Sequence, residues 1–463
     1  MNVTRELADI IVGTRFEDLS EDVIEVARQV CLDGLGVIVA GAREPLGIGR
    51  ITLEYTRLVG GTPEASVIAG GLKTSAPNAA YANGTMCHAL DFDNTWWPLN
   101  HPTSPSLPAV LALAERNRLS GRDAILALVL AFEVQGRLRV ASAGVEAGTG
   151  FHKPGVSGTM GAVTAAGKLL GLDAERFCMA FGIAGSRCGS LSANTGTMTK
   201  SSHSGHAARM GVEAALLASL GFTACEDVFG KGQFFDLFYG PGTYDISLLL
   251  KDFGRPYRMI SPGVGFKKHP SNYFTHRPID AALELRQLHR LAPEDIDQVV
   301  VDFPRFDYVN RPRPKTGLDG KFSVQYTTTI ALLDGRITVE SFADARRFAP
   351  DVEALLPRVR LNVRDDIPRD FNETWAAVRV HTRDGRVLEA RCDKPRGLWG
   401  VPLSREERLA KFRDCVAPAL PAERVEEVIA LVDRLAELDH IGRLMDVLRE
   451  ADPRPAAQTK ASA

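Results

Sequence analysis

The sequence predicts a mainly α protein, in which a large helical domain carries a smaller α+β module set before its last helices. Three observations lead there. Helical periodicity in Ala-, Leu- and Gly-rich sequence runs through residues 1–265. Strand signals then cluster within 266–400. Helical periodicity returns over 401–450, ahead of a tail at 451–463.

The elements follow in order. Ser20 before Glu21 and Asp22 is a helix start with acidic residues in its first turn, and the apolar pattern continues to Ala40. Pro105 suits a first helical turn and leads into the run LPAVLALAERN. Ser120 and Asp123 match a capping box opening a helix through Leu126, Leu128 and Phe132. A helix at 158–170 is rich in small residues, which let helices approach closely. The run SPGVGFKKHPSN reads as a loop, followed by a helix at 279–291 and a strand at 298–302. Strands at 376–381 and 386–390 are joined through Asp384-Gly385, a hairpin turn. The polar, Pro- and Ala-rich tail is predicted to be disordered.

With 463 residues and 45% hydrophobic content the chain can bury a sizeable core. A formal net charge of -2 argues against nucleic acid as the main partner. Seven scattered cysteines with no C-x-x-C pair fit a reducing cytoplasm better than a disulfide framework or zinc ribbon. The most apolar stretch, 124–132, is too short to span a bilayer, and the first residues lack a signal-peptide pattern. Phosphate-loop, dinucleotide, H-E-x-x-H and G-x-S-x-G motifs are absent. A soluble cytoplasmic enzyme is expected, with no membrane partner.

Three segments concentrate groups fit for chemistry. The first is HALDFDNTWWPLNHPTS, from His88 to Ser104. Asp91 and Thr95 would share one face of a helical turn. Prolines 98, 102 and 105 stiffen the next stretch so that His101 can fold back over that face. His101 suits proton transfer near neutral pH. A helix end capped by its own side chains explains the segment equally well, and His88, Asp91 and Asp93 could also ligate a metal, although their spacing matches no metal motif. The second segment, GTMTKSSHSGHAAR, opens a helix with Lys200 and His203 on one face, joined by Ser204 and Arg209, and looks like a carboxylate cradle or a solvated polar face. The third, GFKKHPSN, sets Lys267, Lys268 and His269 in a Gly/Pro loop before Asn272 and His276. It suits an anion or is an exposed basic turn. His152 in GFHKPG and Tyr326 in SVQY are smaller signals. Such cations beside Asp and His suit proton removal next to a carboxylate without a metal, because the charge that develops must be met by ammonium, imidazole or backbone N–H groups.

Together with FSVQYTTTIALLDGRIT and KHPSNYFTHRPIDAALEL, these segments resemble the MmgE/PrpD family, from about residue 4 to 450. The resemblance implies a homodimer without metal or organic cofactor. Each chain would pair an all-helical domain with an α+β lid, the site lying between them. It places Asp91, Thr95, His101, His152, Lys200, Lys267 and Tyr326 in that site. We expect Asp91, His101, Lys200 and Tyr326 to be catalytic. Thr95, His152, His203, Lys267, Lys268 and Asn272 are expected to bind substrate. Asn272 stands where the decarboxylase pattern has His, and Asn is no proton donor of that kind. The expected function is a lyase on a small polycarboxylate, foremost dehydration of a 2-methylcitrate-like hydroxy acid. Decarboxylation of a cis-aconitate-like acid and epimerisation of an iminodisuccinate-like acid are the alternatives.

Overall fold

The computed structural model describes residues 2–142 and 150–454. Helices dominate, as the periodicity predicts. The helix Glu21–Ala42 starts where Ser20 Oγ accepts the Val23 N–H. The helix Gly121–Ala141 starts on the reciprocal Ser120–Asp123 capping box, and Arg405–Val416 on a Ser404–Glu407 box. Each box satisfies backbone N–H groups that the first turn leaves without partners. Ala76–His88, Thr103–Arg116, Ser157–Leu169 and Met198–Ser219 complete the central pack.

Two large hydrophobic cores organise the described residues, beside a small third cluster of Tyr273, Phe371 and Leu398. One gathers residues from Leu7 to Phe266 and rejoins the chain at Leu403 to Ala451. The other runs from Ile279 to Ala390. The second core lies on a four-stranded sheet in the order Val359–Val363, Ile296–Phe303, Ala376–Thr382, Val387–Cys392. The first pair is parallel, with Val299 opposite Val359, and the others are antiparallel. Gly385, at φ 88°, makes the predicted hairpin turn between the last two strands. Helices His276–His289 and Val324–Asp334 pack on this sheet.

Three features depart from the sequence expectations. The strand Val359–Val363 is too short and too polar, as VRLNV, to announce itself. A small hairpin, Ala65–Val67 with Leu72–Thr74, interrupts the helical first part. The tail stays packed further than its composition suggests. Ala451 is buried, the Asp452 N–H donates to the Ala419 carbonyl, and Arg43 donates to the Asp452 carbonyl. Residues 455–463 of the predicted disordered tail lie outside the described residues. Among the described residues no helix is long and apolar enough to cross a membrane.

One helix crossing positions the site. Gly205 in Met198–Ser219 rests against Ala76–His88 so closely that a Cβ there would lie 2.1 Å from Thr85 Oγ1 and 2.4 Å from the Tyr81 carbonyl. Gly84 faces Gly205 across the same contact. Small residues thus bring the start of one helix, with Lys200, onto the end of the other, with His88.

Candidate active site

His88 closes its helix, and the chain then leaves helical geometry. Asp91 adopts a left-handed conformation, φ 50°, which Asp tolerates better than most residues. Asp91 and Thr95 therefore do not share a helical face, contrary to the expectation. Thr95 instead pairs with Gly265, each N–H donating to the other's carbonyl at 3.0 and 2.7 Å. This two-bond bridge brings the Lys267 loop alongside the Asp91 segment. The Thr95 hydroxyl donates to the Asn100 carbonyl at 2.5 Å and fastens the return of the loop. The proline-stiffened return then delivers His101 as expected, with Nε2 3.4 Å from Asp91 Oδ1 and Nδ1 3.2 Å from Asp93 Oδ1.

Asp91 is the centre of the cluster. Its Oδ1 lies 3.2 Å from Lys200 Nζ and 3.1 Å from Lys267 Nζ. Lys267 also donates to the carbonyls of Asp91, at 2.6 Å, and Ser271, at 3.1 Å. Lys200 Nζ is 2.9 Å from His88 Nε2, while His88 Nδ1 is 2.9 Å from Asp93 Oδ1. Burial opposes ionisation of Asp91, yet Lys200 and then Lys267 hold its carboxyl well below the ordinary range. Burial likewise opposes ionisation of Asp93, and His101 with His88 overcomes it. Both carboxylates keep one buried oxygen, Oδ2, without a partner.

The surrounding imidazoles are held neutral. Burial, then Lys200, pushes His88 down to about 4, against the pull of Asp93. The same two causes lower His203 to about 4 and His152 well below its ordinary value. His152 and His203 face each other, Nδ1 to Nδ1 at 3.2 Å, and the His152 ring lies 5.5 Å from that of His88. The structure thus brings Asp91, His101, His152, Lys200, His203 and Lys267 together, with Thr95 as the fastener of the loop.

Other expected residues lie elsewhere. Tyr326 is buried in the second core, where its hydroxyl donates to the Ser341 carbonyl at 2.5 Å. Its charged neighbours are Arg346, Arg347, Asp334 and Asp344. Its helix start points the ring into the sheet module, so it is packing rather than a group at the cluster. Lys268 is exposed, whereas Lys267 before it and His269 after it are buried. His269 pairs with Asp280 at 2.8 Å. The Asn272 side chain accepts the Phe274 N–H as a local cap. Arg209 pairs with Glu213 rather than facing the cluster.

Three groups that sequence reasoning did not place belong here. His88, weighed only as a metal ligand, bridges Lys200 and Asp93. Lys321, buried at 1% exposure, donates to the Ala89 carbonyl at 3.0 Å. Burial lowers it to about 8, against the attraction of Glu44 and Asp91. Tyr308 comes from the sheet module. Burial raises its phenol, Asp91 adds to the rise, and a hydrogen bond with Thr195 opposes it. The run KFS before SVQY-type sequence was the available signal for Lys321; a lone lysine at a helix start is not otherwise distinctive.

His88, Asp91, Asp93 and His101 offer donor atoms within 4.8 Å of one another and could hold a metal ion. Two ammonium groups already share Asp91 Oδ1, and a dication placed there would face both. The donor set therefore suits an ion-paired acid–base site better than a metal centre. At Asp91 two ammonium groups, Lys200 and Lys267, face one carboxylate oxygen, with the neutral imidazoles of His88 and His152 nearby. Such a site attracts an anion and can move protons beside it.

Comparison with known proteins points the same way. Residues 5–246 match the MmgE/PrpD N-terminal domain and residues 269–437 the MmgE/PrpD C-terminal domain. A mouse (Mus musculus) cis-aconitate decarboxylase is 32% identical, covering 100% of this chain and 95% of its own. The human (Homo sapiens) cis-aconitate decarboxylase is 33% identical, covering 98% and 96%. A 2-methylcitrate dehydratase of Cupriavidus necator is 26% identical, covering 92% of each chain. The loop that carries Lys267 lies between the two matched domains, and together these matches show that this chain belongs to the MmgE/PrpD family.

Proposed function

We propose that this chain is a lyase acting on a small polycarboxylate, and that its reaction is loss of CO2 from an unsaturated tricarboxylate resembling cis-aconitate. The observation that carries the reading is the Asp91 carboxylate held between Lys200 and Lys267, with His101 against its edge. In this reading the lysine ammonium groups bind substrate carboxylates. When the C–C bond to the departing carboxylate breaks, its electron pair delocalises into a neighbouring carboxylate, and Lys200 and Lys267 face that charge. A proton then returns to carbon, with His101 as the donor. Asp91 and Asp93, one at each ring nitrogen, orient the imidazole. The relatives favour decarboxylation over the dehydration first expected, since the decarboxylases match at 32% and 33% and the C. necator dehydratase at 26%.

Dehydration of a hydroxy acid is the second reading. It is favoured by Asn272, which caps a turn and donates no proton. In either case we assign one wall of the site to residues 1–265 with 401–450 and the opposite wall, which carries Lys267, to the lid at 266–400. The working form is a cytoplasmic homodimer that needs no metal.

NMR of cis-aconitate, 2-methylcitrate, citrate and iminodisuccinate with the purified protein in D2O tests this, before and after prolonged chelation. CO2 release with one deuterium placed on carbon is expected, and chelation leaves it unchanged. Deuterium exchange at carbon without loss of CO2 or water would make the enzyme an epimerase.

A further inference from the structure

Directly behind the candidate active site lies a cavity of about 350 Å³. It is lined on one side by Ala40, Arg43, Phe92, Lys411 and Cys415 from the helical core. On the other side stand Lys268, Pro270 and the 336–340 segment. Phe92 sits between Asp91 and Asp93, and Lys268 follows Lys267. The two strips of chain thus present one face to the cluster and the other to this cavity.

The lining combines apolar surface with an excess of cations. Arg43, Lys268, Arg336 and Lys411 stand against Glu340 and Asp414. Lys411 is committed, with Asp33 at 2.7 Å and the Phe92 carbonyl at 3.0 Å. Arg43 is only partly committed. It is 7% exposed, its Nη1 donates to the Asp452 carbonyl and lies 3.9 Å from the Asp452 carboxylate, and its Nη2 is buried without a hydrogen-bond partner. A buried unpartnered guanidinium nitrogen is costly unless something supplies an acceptor. Lys268 and Arg336 are exposed at the mouth, with no carboxylate in ion-pair range among the described residues. The mouth continues into a wider groove that adds Arg290, Glu407 and Arg286, the last donating to the Leu332 and Leu333 carbonyls. Phe92, Pro270, Ile337, Val339 and Pro418 supply the apolar walls.

We propose that this cavity is a second binding site, for an organic carboxylate with an apolar body. The carboxylate would sit against Arg43 Nη2 and Arg336, and the apolar chain against Phe92, Ile337 and Val339. A polycarboxylate fits it poorly, because the walls between the cations are apolar and two acids stand among them.

Octanoate is the probe, with 1-octanol as its uncharged counterpart, and binding to the full chain is followed by calorimetry. Saturable octanoate binding with a dissociation constant below about 1 mM is expected, with octanol at least about tenfold weaker. Arg336→Glu, at an exposed position, should weaken octanoate about tenfold through the reversed charge. Val339→Trp, which fills the apolar wall, should abolish binding while thermal melting reports an intact fold. His101→Ala should leave octanoate binding unchanged, which separates this site from the candidate active site. Absence of saturable binding overturns the proposal. So does wild-type affinity in both Arg336→Glu and Val339→Trp, or octanol binding as tightly as octanoate.

Discussion

Asp91 works as a pivot because a single carboxylate oxygen meets two ammonium groups while an imidazole approaches the same atom. Burial alone would neutralise the carboxyl; the surrounding positive charge keeps it ionised. In the proposed reaction His101 is the group that handles protons. His101→Ala should lower kcat by roughly 10²–10⁴ with the fold retained, which steady-state kinetics and circular dichroism would read. Lys321 gives a pH signature. Its folded-state value of about 8 lies below the ordinary 10.5, so in the folded protein it loses its charge above about pH 8. Within that window the unfolded chain binds more protons, so this group makes stability rise with pH. Anion affinity moves the opposite way, and KM should climb above pH 8. Lys321→Met should raise KM at pH 7 and remove that alkaline climb; an unaltered pH profile in the variant would count against a role for its charge.

At the scale of elements, the site depends on how closely helices 76–88 and 198–219 approach. The Gly84–Gly205 contact leaves no room for a methyl group. Gly205→Ala should cost about 1–3 kcal/mol in denaturant melts and should also depress turnover, since it pushes Lys200 away from His88. Capping residues made helix starts legible: Ser20 and Ser120 each sit where the sequence placed them. The return loop to His101 was legible because prolines restrict its path. The Asp91–Thr95 relation was not, because the helix ends at His88 and a left-handed residue redirects the chain. Tyr326 and Lys321 illustrate the same limit. They lie in one short stretch, and only the packing of the sheet module decides that the lysine faces the cluster while the phenol faces the core.

At the scale of the molecule, the two parts are tied across the site by the Lys321–Ala89 hydrogen bond and by Lys267 on Asp91, so ionisation in the cluster bears on the whole fold. His88 and His203 fall to about 4 from an ordinary 6.5. Their folded values lie below their unfolded ones. Between pH 6.5 and 4 the unfolded chain therefore binds protons that the folded chain refuses, and stability falls as pH drops through that window. Asp91 and Asp93, also depressed, extend the loss to lower pH. Melting temperatures measured from pH 7 to 5 should fall steadily, and His203→Asn should flatten part of the slope. A flat wild-type profile would contradict the neutral buried imidazoles. The family and the mainly helical architecture were readable from five ordered motifs and the change of texture near residue 265, whereas the exact acid was not, because it depends on side chains that only the assembled halves bring together.

The most direct test of the account is kcat/KM of Lys200→Met on the tricarboxylate the wild type consumes, with circular dichroism confirming the fold. A fall of at least about 10² is expected, because the ammonium beside Asp91 faces the charge that develops in the reaction. Turnover within a few-fold of wild type would contradict the claim that this cluster performs the chemistry.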